Sequence, residues 1–266
     1  MTEQIKIDFE KTIKTSDLSE ADAELKKQFL NKFIKNGFPS RKLENWKFSD
    51  INQIIQKNIG ELSFYNDYSS SNKIDTSIFV DGLEHNKIVF INGRLEKIDF
   101  SYEDKNKVEI NESSNFKNNL ENNNSLTDLN SAFINKSYII LIKKNYSLKK
   151  PLIVYHSTNN KIKSKNINLR LDFQLEQNSS LRLIDFFYHI SKKNFINVFN
   201  NFDLKKDAIL KNYKIDNLQN ENIKYSFNNI DQDENSISET FILSCGSNFL
   251  KNEVICNLMA NTHQHL

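Results

Sequence analysis

The sequence predicts a mainly β protein in which a parallel β-solenoid core follows a small α-helical N-terminal domain. Three observations lead to this prediction. An amphipathic helical pattern stands near the N-terminus, strands are frequent after Ala132 without a comparable helical stretch between them, and polar, small-residue corners separate several of these strands. We place the helical domain at residues 1–85 and the β core at residues 86–266.

The helix signal at residues 20–36 is the strongest local pattern. Ser19 stands three residues before Asp22, which is a near match to a capping box. Gly37 and Pro39 follow as stop signals. The apolar residues between them recur at helical spacing: Leu25, Phe29, Leu30, Phe33 and Ile34.

The segment 37–50 contains the only Trp of the chain, Trp46, among alternating charges. Ile51, Ile54 and Ile55 follow it at helical spacing. We therefore expect a turn, a short extended stretch and a second helix.

The pattern changes from residue 86 onward. Apolar residues flank Asn92 and Gly93, the pair that best fits a type I′ turn, so we expect a hairpin or a tight strand corner there. Residues 101–128 are polar with sparse apolar positions that include Phe116 and Leu120, and they predict a loop with room for short helices.

Later segments have the alternation or the short apolar runs of strands. They are residues 138–142, 152–155, 169–175, 181–184, 195–202, 209–215, 241–243 and 249–258. Polar corners at 177–181, 206–209 and 246–249 separate some of them. With only 5 Gly and 2 Pro in the chain, the tight hairpins of a sandwich are hard to find, so a solenoid with Asn and Ser corners fits better. Asn should then replace Gly at left-handed turn positions.

Composition excludes several classes of protein. The 36 Lys and Arg against 34 Asp and Glu give a formal charge of +2, which disfavours nucleic acid as a partner. No apolar run reaches the roughly 18 residues of a spanning helix, so no membrane partner is expected. Acidic residues near the N-terminus and the presence of only two cysteines predict an unexported protein of the cytoplasm.

Several residue sets were weighed as sites of chemistry. His263 and His265 would share one face of a strand, but two ligands make an incomplete metal site. Cys245 and Cys256 fit inert core residues better than thiolate ligands. The carboxylates of a glycoside-cleaving β-helix would be Asp172, Glu176 and Asp185, although every solvated strand face carries such charges.

Charged residues around Trp46 allow two interpretations. Arg41, Lys42, Glu44 and Lys47 would bind an anion or a partner surface, or they form a surface charge network beside a Trp that anchors two helices. The familiar nucleotide, hydrolase and zinc motifs are absent from the sequence. We therefore expect no enzyme activity, and no catalytic, cofactor or metal residue is assigned.

The stretch from residue 37 to 51, Gly-Phe-Pro-Ser-Arg-Lys-Leu-Glu-Asn-Trp-Lys-Phe-Ser-Asp-Ile, closely resembles a motif of the SufB/SufD family of iron–sulfur cluster assembly proteins. The residues that carry it are Gly37, Pro39, Arg41, Lys42, Glu44, Trp46 and Lys47. Residues 89–94, 129–133, 150–156, 196–198, 202–208 and 241–258 resemble the same family in the same order.

The resemblance implies a right-handed parallel β-helix and a non-catalytic scaffold that acts with SufB and the ATPase SufC. It implies that ATP hydrolysis on the partner is coupled to rearrangement at the subunit interface. The iron–sulfur cluster would be held transiently in the assembled complex, and this chain alone would bind no cofactor. The lack of a cluster-type Cys motif in the N-terminal half and the short N-terminal region favour the SufD branch.

Family members continue for well over a hundred residues beyond the position of Leu266, so the resemblance implies a truncated chain. The missing part would carry the ATPase-binding helices and interface residues. We also expect an open terminal rung to promote aggregation or dimerisation.

Two other functions are compatible with a β-solenoid. A carbohydrate-active or carbohydrate-binding β-helix would need a groove of clustered carboxylates and usually an export signal. A purely structural solenoid would differ from the scaffold only in capturing neither SufB nor SufC.

Overall fold

The computed structural model describes residues 1–67, 73–113, 124–159, 162–188, 190–218, 221–259 and 263–265. Within these ranges the helices are α1 (Thr2–Thr15), α2 (Glu20–Asn36), α3 (Ile51–Asn58) and α4 (Ser125–Phe133). The first strands are β1 (Asn86–Ile91), β2 (Arg94–Asp99), β3 (Val108–Ser113), β4 (Ser137–Ile142), β5 (Leu152–Ser157) and β6 (Asn166–Leu175). They are followed by β7 (Ser180–Phe187), β8 (Phe195–Leu204), β9 (Ile209–Asn217), β10 (Ile223–Gln232), β11 (Ile237–Cys245), β12 (Phe249–Leu258) and β13 (His263–His265).

The strands form a parallel β-solenoid of about four turns. One sheet has the strand order β13-β11-β9-β7-β5-β1-β2, and the other has the order β12-β10-β8-β6-β4-β3. From β4 onward the chain alternates between the two sheets, and each strand pairs in parallel with the strand two places later. The predicted mainly β fold with a parallel solenoid core and preceding helices is confirmed.

The helix prediction for residues 20–36 matches α2. The side chain of Ser19 accepts a hydrogen bond from the Asp22 backbone N–H, and Gly37 ends the helix with a φ of 70°. The predicted second helix is α3, which Asp50 caps. The sequence analysis missed α1, although Ile5 and Phe9 stand four residues apart and are buried.

Asparagine takes up several left-handed corners of the solenoid as expected, although Ser164, Lys193 and Glu221 hold other positions with a positive φ. Asn145, Asn178, Asp207 and Asn235 occupy equivalent corners with φ values of 58°, 62°, 60° and 56°. Their backbones bridge successive turns; for example, the Asn178 N–H donates to the carbonyl of Lys206 at 3.0 Å. The scarcity of Gly therefore does not prevent the tight corners, because Asn tolerates this conformation.

Three apolar cores hold the fold together, the smallest of which includes Ile78, Ile91 and Tyr155. Inward-facing side chains of both sheets fill the solenoid, among them Leu171, Phe173 and Phe202. The second core lies between the helices and the outer face of the sheet that contains β8 and β10. Helix α4 belongs to this second layer, since all of its residues are buried and it contacts α2. It lies within the range 86–266, and the division at residue 85 stays a prediction.

Other local predictions had mixed outcomes. The hairpin at Asn92 and Gly93 is confirmed as the turn between antiparallel β1 and β2. The extended stretch expected before α3 includes a 3-10 turn at Glu44–Trp46. Part of the expected loop at 101–128 is strand β3, and Phe116 and Leu120 lie outside the described residues.

Large apolar side chains are exposed on the last two long strands, namely Phe241, Leu243 and Leu258, and at Met259 directly after them. Self-association through this end stays a prediction. Among the described residues, no helix combines the length and the apolar character needed to cross a membrane.

Candidate functional site

The segment 37–48 lies between α2 and α3 and contacts the last turns of the solenoid. The N–H of Gly37 bonds to the carbonyl of Phe33 at 2.6 Å, so the chain leaves α2 at a fixed point. Pro39 is buried, and its carbonyl accepts from the N–H of Ile51 at 3.4 Å. These contacts fix both ends of the segment, which explains why Gly and Pro stand at these positions.

Trp46 anchors the segment on the solenoid. Its side chain is only 3% exposed and packs against the rings of Tyr225 on β10 and Phe249 on β12, at centroid distances of 5.8 and 6.3 Å. The ammonium of Lys251 lies 4.8 Å from the Trp46 ring centroid, a distance suited to a cation–π contact. The Trp therefore attaches the segment to the sheet, whereas the anchoring interpretation placed it between two helices.

Polar contacts surround this anchor. Asn45 Nδ2 donates to Glu253 Oε1 at 3.0 Å, and Lys251 Nζ donates to the Asn45 carbonyl at 2.8 Å. Tyr225 OH donates to the other carboxylate oxygen of Glu253, and Asn124 Nδ2 donates to Tyr225 OH. Burial, together with the Glu253 charge, raises the pKa of Tyr225 well above its usual value. The phenol therefore stays protonated and keeps this network intact.

The other half of the segment faces solvent. Arg41 and Lys42 are exposed, and Glu44 pairs with Lys47 at 2.8 Å on the surface. Phe48 is 86% exposed, and Leu43 is also largely exposed. An exposed ion pair of this kind stabilises a fold little, so these side chains are available for contact with another molecule. Of the predicted site residues, Gly37, Pro39 and Trp46 thus have structural contacts, while Arg41, Lys42, Glu44 and Lys47 form a surface.

A second polar arrangement lies inside the solenoid, and the sequence analysis missed it. His156 on β5 contacts Asp185 on β7 at 2.8 Å, through Nε2 and Oδ1. Asp185 Oδ2 lies 3.5 Å from the ammonium of Lys214 on β9. Lys214 Nζ donates to Asn228 Oδ1 at 2.7 Å and to Ser226 Oγ at 3.1 Å, both on β10. Contacts between charged and polar groups therefore run from β5 to β10 through the interior.

The same interior holds a second buried ion pair. Lys224 on β10 pairs with Asp216 on β9, and its ammonium lies 3.4 Å from the ring centroid of Phe187. Asp216 Oδ2 accepts from the hydroxyl of Ser244 at 2.9 Å. Ser244 is exposed, so this pair lies near the end of the solenoid where the interior meets solvent.

The interior charges perturb one another. Burial opposes ionisation of Asp185, but the neighbouring His156, Lys214 and Lys224 outweigh it and hold the pKa of Asp185 below its usual range. Burial lowers the pKa of Lys214 and of His156, and Asp185 partly offsets both shifts. Asp185 is therefore charged at neutral pH and interacts with the buried basic groups.

The remaining predicted residues do not form a shared catalytic centre. Asp185 is buried in the interior, Asp172 is paired with Arg170 at 3.6 Å, and Glu176 accepts from the Lys144 N–H at 2.7 Å. These three carboxylates already have partners and do not present an open groove.

The structure describes the side chains of the two cysteines but not those of the two histidines. Cys245 is exposed, so the prediction of a buried core residue is wrong there, whereas Cys256 is half-buried and packs against the solenoid core. The prediction failed because Cys245 ends its strand on an outer, uncovered face. His263 and His265 are the first and last residues of β13, whose backbone pairs with β11. The structure describes the backbone of these two residues but not their side chains. No group of three metal-ligating side chains occurs among the described residues.

The polar interior had a weak sequence signal. Lys224, Ser226 and Asn228 alternate with Ile223, Tyr225 and Phe227, which is the period of a strand. The alternation alone does not tell which side faces the solenoid. In comparisons with known proteins, no family model and no curated protein matches this chain.

Proposed function

We propose that this chain is a non-catalytic scaffold subunit of the SUF iron–sulfur cluster assembly complex, in the position of SufD beside SufB and the ATPase SufC. The chain would work in the cytoplasm, without nucleic acid or membrane as partner. The cluster is the cargo of the complex and would be held only transiently in the assembly.

The observation that carries the proposal is the division of the 37–48 segment into two halves. Trp46 fixes the segment to β10 and β12, while Arg41, Lys42 and Phe48 point to solvent on the same short stretch. A rigid support beneath an exposed aromatic and two cations is the arrangement expected of a docking surface, since Phe and Arg are enriched where proteins meet. The resemblance of this same segment to the SufB/SufD family supports the identity of the partner.

The composition of the fold also supports a scaffold role. Each turn of a solenoid contacts mainly its neighbours, so the molecule gives an extended, rigid surface. The inner charges are engaged with one another rather than open to a substrate. Such a molecule can hold two partners in a fixed relation without reacting itself.

A tagged co-expression experiment tests the proposal. The 266-residue chain, co-expressed with SufB and SufC of the same source, should retain SufB through washing. The double variant R41E/K42E and the single variant F48S should each reduce the amount of retained SufB at least about tenfold. Both remove exposed groups and leave Trp46 in place.

The matched control is K6E/K14E, which makes the same charge change at two exposed lysines of α1. It should retain SufB like the unchanged chain. If the unchanged chain retains neither SufB nor SufC, the proposed scaffold function is wrong.

A further inference from the structure

A cleft of about 600 Å³ lies at a corner of the solenoid. Segment 73–78 forms one wall, and the corners that follow β5 and β7 form the other. Ile78, Ile91 and Ile190 are buried beneath the cleft and give it an apolar floor. The volume falls in the range of pockets that hold small organic molecules.

Four lysines line this cleft: Lys73, Lys163, Lys192 and Lys193. Among the described residues, the ammonium of none of them forms an ion pair or a hydrogen bond. The cleft also contains the carboxylates of Asp75 and Glu221, and Asp75 accepts a hydrogen bond from the Ser77 N–H at 3.0 Å. Positive charge therefore exceeds negative charge in the cleft.

The corners hold the lysines close together. The N–H of Ser164 donates to the carbonyl of Lys193 at 2.9 Å, so residues 163 and 192 lie on neighbouring corners. Asn194 Oδ1 accepts from the Lys165 N–H at 3.0 Å and fixes the same register. Neighbouring strands in a sheet are separated by only about 4.8 Å. Like charges at such positions repel, which is unfavourable unless an anion lies between them.

The wall between these lysines contains the hydroxyl groups of Thr158, which is buried, and Ser191, which is half-buried. The N–H of Ser191 donates to Thr158 Oγ1 at 2.6 Å, and Thr158 Oγ1 donates to Ser191 Oγ at 2.8 Å. The Ser191 hydroxyl donates onward to the carbonyl of Ile162 at 2.6 Å. These bonds tie the two corners together, so the cleft keeps its shape without a ligand.

We propose that this cleft binds a small organic phosphate. Its phosphate groups lie between Lys163, Lys192 and Lys193, and its apolar part rests on Ile78 and Ile190. A compact ammonium binds phosphate as a point charge, and several of them suit a ligand that carries more than one negative charge. The apolar floor adds a preference for an organic molecule over the bare inorganic ion.

Isothermal titration calorimetry with ADP and with inorganic pyrophosphate tests this site. The full chain should bind ADP with a Kd below about 1 mM at low salt, and it should bind pyrophosphate more weakly because pyrophosphate leaves the floor uncovered. The variant K163E/K192E, which changes two exposed lysines, should raise the Kd of both ligands at least about tenfold. The variant I78S should raise the Kd of ADP and leave the Kd of pyrophosphate unchanged.

The control variant is K205E/K206E, which changes two lysines at the corner between β8 and β9. It should bind ADP like the unchanged chain. Absence of ADP and pyrophosphate binding to the unchanged chain would overturn the proposal, as would an equal loss of affinity in the control. Neither result depends on SufB or SufC, so this test is separate from the scaffold proposal.

Discussion

Raising the pH from 7 to 9 should stabilise the fold through Lys26. This side chain is 1% exposed, and its ammonium donates to the backbone carbonyls of Ser131 and Ile134 at the C-terminal end of α4. Burial lowers the pKa of Lys26 to about 7, against an opposing effect of Asp22. In the unfolded chain the same group has its ordinary pKa of 10.5.

The sign of the effect follows from proton binding. Between these two pKa values the unfolded chain binds a proton at Lys26 that the folded chain has mostly released. Stability therefore rises with pH from about 7 to about 10.5 and levels off above it. For these pKa values the free energy of unfolding should increase by about 2 kcal/mol between pH 7 and pH 9.

Urea denaturation at a series of pH values measures this increase. The variant K26M keeps the apolar length of the side chain and removes the titrating group, so most of the increase should disappear. The exposed neighbour Lys27 provides the control, and K27M should keep the dependence of the unchanged chain. The reasoning is refuted if K26M retains the full increase, or if the unchanged chain shows none.

Three further predictions test the packing. The variant W46A should lower the free energy of unfolding by about 3–5 kcal/mol, because it removes a buried ring, and denaturation curves of this variant and of W46F measure the loss. Asp185→Asn and Lys214→Met should each cost about 3–5 kcal/mol, since each leaves a buried charge without its partner. The double variant D185N/K214M should lose less than the sum of the two; an additive loss in this double-mutant cycle would contradict the coupling. Gly246 has a φ of 81°, and an added Cβ would lie 1.6 Å from the carbonyl oxygen of Leu218, so G246A should lower the melting temperature far more than G82A, where the space is open.

Local sequence patterns were enough to predict elements whose hydrogen bonds form within one stretch of chain. The cap at Ser19 and the stop at Gly37 delimit α2 without help from distant residues, and Asn92 and Gly93 define their own turn. Strands β6 and β8 were also predictable, because their inward positions are apolar in regular alternation, with Asn200 of β8 as the exception. For the helix ends and the turn, the free energy that selects the local structure comes from neighbours in sequence, whereas the two strands show only their pattern locally and are stabilised by other turns.

Strand β10 was not predicted because its alternation is inverted. Ile223, Tyr225 and Phe227 face the helices, whereas Lys224 and Asn228 face the solenoid interior. A pattern that places charge on the buried side looks like a solvated loop unless the partner charges are known. Those partners, such as Asp216 on β9, stand on other strands.

The sequence by itself determined the mainly β class, the solenoid core, the helix at 20–36 and the use of Asn in left-handed corners. Only the tertiary structure decided that Trp46 packs on Tyr225 and Phe249, and that His156, Asp185 and Lys214 meet in the interior. The physical reason is that a side chain's burial depends on which turn of the solenoid lies beside it. That neighbour is set by the stacking of strands from separate parts of the chain, so no local pattern contains it.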